Sequence, residues 1–219
     1  MVRTFHKYLS LAISVQLLLW TISGIYFAFN KIELIRGEQY ILEQENTEVD
    51  LKEFTASLDA KNINILRRLD EWVLKVDEGS NIYYVDLQGN ELKSLNTEEA
   101  KQIVRNKTSL FPLEAVKIES PSRGSEFRGR NLPLFKVSTR SNEEVNVYVD
   151  AVSGEVTAIR SDSWRTWDFL WGTHIMDYSE RENIDNLLLK IFSVLALISA
   201  LSGIVLFFSG LNLRNFNNK

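Results

Sequence analysis

The sequence contains no cysteine and only two histidines among its 219 residues. The lack of cysteine excludes disulfides, thiolate catalysis, iron–sulfur clusters and cysteine-ligated zinc. Only His6 and His174 could supply imidazole, and no third nitrogen or sulfur ligand lies near them in the sequence. No zinc site or other site for a free metal ion is therefore expected. No phosphate-binding glycine loop, His-Glu-x-x-His or Gly-x-Ser-x-Gly motif occurs. The sequence therefore leaves enzymatic activity open and favours none for this chain on its own.

Two long apolar runs lie at the ends of the chain, over residues 8–29 and 186–210. Roughly 20 apolar residues are needed to cross the hydrocarbon layer of a membrane. The one charge in the second run, Lys190, is close enough to the run's end for its amine to reach the headgroups. The sequence therefore predicts two transmembrane helices, within segments 1–29 and 186–219, each with a short tail.

The orientation of the chain follows from the charges in those tails. Arg3 and Lys7 precede the first span, and Arg214 and Lys219 follow the second. Basic tails stay in the cytoplasm, so both termini are predicted to be cytoplasmic and the segment between the spans external. The first span has no small-residue cleavage site after a short apolar core, which predicts an uncleaved signal anchor.

The segment between the spans is acidic. It carries all 29 acidic residues and 20 of the 25 basic ones, a net charge of −9. An acidic domain is a poor partner for nucleic acid, so no nucleic-acid binding is expected.

Both spans contain small and hydroxylated residues, including Gly24 in the first and Gly203 in the second. Such residues let helices approach closely. We therefore expect contacts beyond the lipid bilayer, and two alternatives stay open: the spans pack on each other, or they pack on other membrane subunits.

The predicted external domain, residues 30–160, has the pattern of an α+β fold. Apolar spacing over residues 50–69 suggests a helix and a second short helix or turn. A further helix is expected from Thr97, with Thr97 as its N-cap. Strands are predicted by alternation over residues 72–76, 82–87, 116–119, 134–139, 145–150 and 155–159.

The two halves of this domain repeat one pattern. Each has a strand ending in Lys-Val, a polar turn, a strand ending in Val-Asp, and a glycine turn. The pattern predicts two equivalent units, each a helix packed on a short antiparallel sheet. Asp86 and Asp150 end their strands just before the glycine turns, so we interpret them as turn-forming residues rather than catalytic acids.

An aromatic segment lies in the linker, residues 161–185. At about 100° per residue, a helix here places five side chains on one face: Trp164, Trp167, Trp171, His174 and Tyr178. One interpretation is an interfacial helix that holds the domain at the membrane surface. The other is that His174, beside flat aromatic rings, contacts a haem or quinone.

The two histidines lie at opposite ends of the predicted spans. His6, beside Arg3 and Lys7, is either an ordinary interfacial histidine or an axial haem ligand whose basic neighbours pair with propionates. A hydrocarbon core about 30 Å thick separates it from His174. One chain therefore cannot supply both ligands of one haem, and a bis-histidine site would be shared with a partner chain.

A basic run, Arg123, Arg128 and Arg130, surrounds two glycines in the domain. It either grips an anionic group or forms a solvated loop.

Several of these motifs together resemble a known family. Residues 128–137, followed by Val147-Tyr-Val-Asp150 and Gly154-Glu-Val, resemble the end of a PepSY domain. Phe5-His6-Lys7-Tyr8, His174 and Ser202-Gly203 resemble motifs of the PepSY-associated transmembrane family, whose larger members have more spans.

The resemblance implies a location in a bacterial inner membrane with a periplasmic domain, and it leaves three functions open. The first is an accessory subunit of a redox or transport complex, acting by protein contact. The second is a haem-binding electron-transfer component related to PepSY-type ferric reductases, with His6 and His174 as ligands. The third is a regulator of external proteases.

Overall fold

The computed structural model describes residues 2–43, 54–55 and 60–216, with side chains described as far as residue 210. It divides into two compact units. One contains residues 1–31 and 166–219, and the other contains residues 32–165.

The first unit is helical. It contains α1 (Val2–Phe29), most of α4 (Asp162–Ile175) and α5 (Leu187–Phe216). By length and composition, Val2–Phe29 and Leu187–Gly210 are able to cross a membrane. Both predicted spans are therefore helices of the required length.

The second unit is α+β. Two short elements open it, α2 (Ile32–Ile35) and a 3-10 helix (Glu38–Tyr40). A three-stranded antiparallel sheet has the order β1-β2-β3, and a four-stranded antiparallel sheet has the order β4-β5-β6-β7. The strands are β1 (Asn62–Arg68), β2 (Glu71–Asp77), β3 (Ile82–Asp86), β4 (Phe111–Ile118), β5 (Leu134–Arg140), β6 (Asn146–Asp150) and β7 (Val156–Arg160). The predicted fold class, α+β between two terminal apolar helices, is confirmed.

The helix α3 (Thr97–Lys107) covers one face of the four-stranded sheet. Ile103 and Val104 of α3 are fully buried in one cluster with Phe135, Val137 and Val147 of the strands. This cluster is the main core of the unit, and its burial of aliphatic surface is the principal stabilising contribution.

The N-cap of α3 is Asn96, so the prediction of Thr97 was wrong. Asn96 has extended backbone, and its side-chain oxygen accepts from the backbone N–H groups of Glu98 and Glu99. The Glu99 carboxylate accepts from the Asn96 N–H in return, at 2.8 Å. This capping box satisfies N–H groups that a helix cannot pair internally.

The prediction for residues 62–69 was also wrong, because β1 replaces the expected helix or turn. Ile63 and Ile65 alternate with polar residues, and β1 pairs in register with β2 from Asn62 opposite Asp77 to Arg68 opposite Glu71. The partner strand decides the conformation of such a short β-branched stretch. The helix expected just before it falls mostly on residues 44–53 and 56–59, which lie outside the described residues.

Asp86 and Asp150 form turns, as predicted. Asp86 Oδ1 accepts from the N–H groups of Gln88 and Asn90. Asp150 Oδ1 accepts from those of Val152 and Ser153. The two strand ends therefore use the same turn chemistry, in line with the internal repeat.

Candidate functional site

Four side chains join α1 to α5, and we call them the helix seam: His6, Ser10, Ser199 and Ser202. His6 Nδ1 lies 2.8 Å from Ser202 Oγ, and Ser10 Oγ lies 2.8 Å from Ser199 Oγ. Ser10 Oγ also lies 3.4 Å from His6 Nε2. Since Ser10 pairs with Ser199 and His6 with Ser202, the two helices run antiparallel.

The hydrogens of the helix seam can be assigned. Ser202 donates its one hydroxyl hydrogen to the Ser199 carbonyl, at 2.8 Å. It must therefore accept from His6 Nδ1–H, which leaves His6 Nε2 to accept from Ser10. Both ring nitrogens of His6 are thus engaged inside the helix pair, where a polar group facing lipid would be costly.

The C-terminus of α4 is capped by side chains of α1 and by the chain that follows it. Gln16 Nε2 donates to the Thr173 carbonyl at 3.1 Å, and Trp20 Nε1 donates to the His174 carbonyl at 2.6 Å. The carbonyls of Gly172 and Ile175 accept from the Asp177 N–H and the Asn186 amide. All four of the last carbonyls of α4, which have no partner within the helix, are therefore satisfied.

These bonds place His174 against α1. Ser23 is fully buried, and its hydroxyl lies 2.6 Å from His174 Nδ1 and 2.7 Å from the Leu19 carbonyl. A serine hydroxyl has one hydrogen and a carbonyl can only accept, so both short contacts are hydrogen bonds only if His174 Nδ1 carries the hydrogen.

The opposite ring nitrogen, His174 Nε2, has no hydrogen-bond partner among the described residues. Burial lowers the pKa of His174 below its ordinary value of 6.5, which favours the neutral ring. A neutral imidazole with Nδ1–H fixed by a protein acceptor presents an Nε2 lone pair, which is the usual state of a histidine ligand.

Aromatic rings line the same site. Trp167 and Trp171 stack at 5.5 Å with an interplanar angle of 12°, and Trp171 and His174 lie parallel at 6.5 Å. The ring of Phe27 lies 5.7 Å from that of His174. We call Ser23, Phe27, Trp167, Trp171 and His174 the His174 site. Its flat apolar surfaces beside an oriented imidazole suit a planar aromatic group.

Two members of the predicted aromatic face do not belong to this site. The helix ends at Ile175, before Met176 with its left-handed backbone at φ 57°, so helical spacing does not extend to the exposed Tyr178. Trp164 belongs to the other unit, where it is buried under the guanidinium of Arg160. The predicted helical spacing is therefore right for Trp164, Trp167, Trp171 and His174 and wrong for Tyr178, and only the last three residues of the helix set belong to the His174 site.

The two glycines predicted as contact residues differ in surroundings. A Cβ at Gly203 would lie 3.2 Å from His6 Cε1, so Gly203 packs inside the helix pair. A Cβ at Gly24 would meet nothing within 4 Å among the described residues. The two spans therefore pack on each other at Gly203, and no described residue packs at the Cβ position of Gly24.

The structure keeps the two histidines apart, as the sequence indicated. His174 contacts Ser23, which lies 17 residues beyond His6 on α1, or about 25 Å along a helix axis. Sequence reasoning missed Gln16, Trp20 and Ser23 as positioning residues. The signal in the sequence was that these three polar or amphipathic residues recur every third or fourth position within an apolar run, which places them on one face of the helix.

Comparisons with known proteins agree with this architecture. Residues 3–218 match the sequence pattern of a protein family described as "PepSY-associated TM region". No curated protein and no solved structure matches the chain. Because that match covers nearly the whole chain, including both terminal helices and the sheets between them, the protein belongs to the PepSY-associated transmembrane family.

Proposed function

We propose that the chain is a two-span accessory subunit of a redox or transport complex in a bacterial inner membrane, acting by contact with other membrane subunits. Its sheets would lie in the periplasm and both termini in the cytoplasm. The observation that carries the proposal is the open surface at Gly24. Gly203, Ser10 and Ser199 already make contacts between α1 and α5. At Gly24 no described residue of α5 occupies the space beside the backbone, which leaves room for a neighbouring helix.

Co-purification tests this role. The tagged chain, extracted from native membranes in mild detergent, should bring other membrane subunits with it. Gly24→Trp should reduce their recovery several-fold, because an indole would fill the space left for a partner helix. Leu18→Trp, at an exposed lipid-facing position of the same helix, is the matched control and should have little effect. Recovery of the chain alone from native membranes would contradict an accessory role.

A second function, haem-binding electron transfer, is supported by the His174 site. His174 fits one axial position of a haem, since Ser23 fixes its Nδ1–H and its Nε2 is open. His6 fits poorly, because Ser202 and Ser10 engage both of its ring nitrogens. When bound, haem would supply a one-electron carrier. The chain would hold it through His174 alone, with a partner chain providing the other ligand.

The absorption spectrum tests this second function. We expect the isolated chain to show no bis-histidine haem spectrum. In the co-purified complex, His174→Gln should abolish a Soret band that His6→Gln leaves in place, since an amide does not replace imidazole at iron. A Soret band unchanged by His174→Gln would show that His174 is not a haem ligand. A bis-histidine spectrum from the isolated monomer would contradict a haem shared with a partner chain.

A further inference from the structure

A group of arginines lies on the face of the four-stranded sheet opposite α3. Arg160, on β7, is only 8% exposed, and its guanidinium lies 4.2 Å from the ring centroid of Trp164. The guanidinium of Arg128 lies 5.5 Å from the same centroid. Two cations on one indole repel each other, even though each is attracted by the ring.

Only some of the N–H groups of Arg160 are hydrogen-bonded to described residues. Its Nε donates to the Glu126 carbonyl and its Nη1 to the Ile159 carbonyl, both at 3.0 Å. Its Nη2 makes no hydrogen bond, and no carboxylate lies within ion-pair distance of Arg160, among the described residues. A buried cation bonded only to neutral carbonyls is unusual, because burial removes its hydration without returning an opposite charge.

The carboxylate of Glu126 bonds to other residues. Glu126 accepts from Arg165 Nε at 2.6 Å and from the Tyr148 hydroxyl at 3.0 Å. Arg165 is also paired with Asp162, at 2.7 Å. These carboxylates bond to Arg165, and none of those described forms an ion pair with Arg160. Arg160 therefore has only the longer-range attraction of Glu126 against the repulsion of Arg128 and Arg130.

Two further groups lie around Arg160. Asn146 is its partner across β6 and β7, so the two side chains share one face. Asn146 is 1% exposed, and its amide nitrogen has no hydrogen-bond partner among the described residues. Arg130 is exposed, and its side chain makes no bond or ion pair within the described part of the chain. Burial, then the charges of Arg130 and Arg128, lower the pKa of Arg160 to about 10.

We infer that this face binds a phosphate group, held by Arg160 Nη2, the Arg130 guanidinium and the Asn146 amide. A guanidinium matches the spacing of phosphate oxygens, and a phosphate can accept from several donors at once. A carboxylate has only two oxygens for the same donors. One alternative for the basic run in the sequence was that it binds an anion, and the proposal assigns that role to Arg130. Arg160 is a further residue of the site that the sequence did not indicate. The site is independent of the proposed function.

The phosphate could belong to a lipid headgroup or to a soluble compound. The full chain in neutral detergent would be titrated with inorganic phosphate and, separately, with short-chain phosphatidylglycerol or phosphatidylcholine in the same micelles. Calorimetry would report each dissociation constant. Saturable binding of inorganic phosphate alone assigns a soluble source, and binding of phosphatidylglycerol over phosphatidylcholine assigns a lipid. Saturable binding of neither probe overturns the proposal.

The variants identify the residues. Arg130→Ala should weaken binding roughly tenfold, by loss of a charge-assisted hydrogen bond. Arg105→Ala removes the same charge from α3, on the opposite face of the sheet, and should change binding less than about twofold. Arg160→Lys should weaken binding like Arg130→Ala, with thermal unfolding used to verify its fold. Equal effects of Arg130→Ala and Arg105→Ala would overturn the proposal. Because the Arg130 side chain is exposed and makes no bond within the described residues, Arg130→Ala should not disturb the fold.

Discussion

The Ser23 hydroxyl lies 2.6 Å from His174 Nδ1 and 2.7 Å from the Leu19 carbonyl, so one buried serine joins α4 to α1 and fixes the tautomer of the histidine. Ser23→Ala should lower the free energy of unfolding by roughly 1–2 kcal/mol, because it leaves His174 Nδ1–H without an acceptor. Thermal unfolding of the full chain in detergent measures the loss.

The matched control for Ser23 is Ser14→Ala on the same helix. Ser14 is exposed, and its one hydrogen bond within the described part of the chain is to the Leu11 carbonyl of its own helix. Its replacement should leave the unfolding midpoint nearly unchanged. If both alanine variants unfold alike, Ser23 does not hold α4.

Gly203 and Gly24 should respond oppositely to larger side chains. A Cβ added at Gly203 would lie only 3.2 Å from His6 Cε1. Gly203→Leu should therefore push α1 and α5 apart at the helix seam and lower the free energy of unfolding by about 1–3 kcal/mol. Gly24→Ala meets open space and removes a flexible glycine from a helix, so it should be neutral or stabilising by up to about 1 kcal/mol. A crosslink between cysteines introduced at Val2 and Val205 would report helix separation. Undiminished crosslinking in Gly203→Leu would exclude close packing at this glycine.

Asp177 should make the loop after α4 sensitive to acid. Burial alone would raise the pKa of Asp177, but the N–H groups of Asn183, Glu182 and Glu180 and the Ser179 hydroxyl lower it well below its ordinary value of 3.8. A depressed pKa gives stability that is fully present above about pH 4 and is lost as pH falls toward the folded-state value. Hydrogen exchange of the Asn183 amide should therefore accelerate below about pH 4, after correction for intrinsic exchange.

Asp177→Asn should remove most of that acid sensitivity, because the amide does not titrate. Glu114→Gln removes a charge from an exposed site on β4 and is the control, with an unchanged exchange profile. A wild-type profile that is flat between pH 6 and pH 3 would show that the carboxylate does not hold the loop.

The topology prediction rests on the basic residues of the two tails. An alkaline phosphatase fusion in the turn at Asn142 should be active, since that enzyme requires an external location, whereas a fusion at Lys219 should be inactive. Activity at Lys219 and inactivity at Asn142 would reverse the orientation.

The sequence by itself determined the elements whose signals are local. Two runs of about 20 apolar residues are sufficient to predict spans, because the thickness of a membrane sets that length. The alternation in β2 and β3 and the Asp-before-glycine turns at Asp86 and Asp150 are also short-range patterns, and the structure confirms them. The topology stays a prediction from the charges of the two tails.

Only the tertiary structure decided the contacts made over long sequence separations. Asn62–Arg68 is a strand because it pairs with β2, and the alternation of Ile63 and Ile65 is too short to distinguish a strand from a helix without that partner. Ser23 and His174 are 151 residues apart, and Arg160 and Asn146 meet only through strand register. A side chain's hydrogen bonds depend on which neighbour the fold brings to it, and a linear sequence does not specify that neighbour.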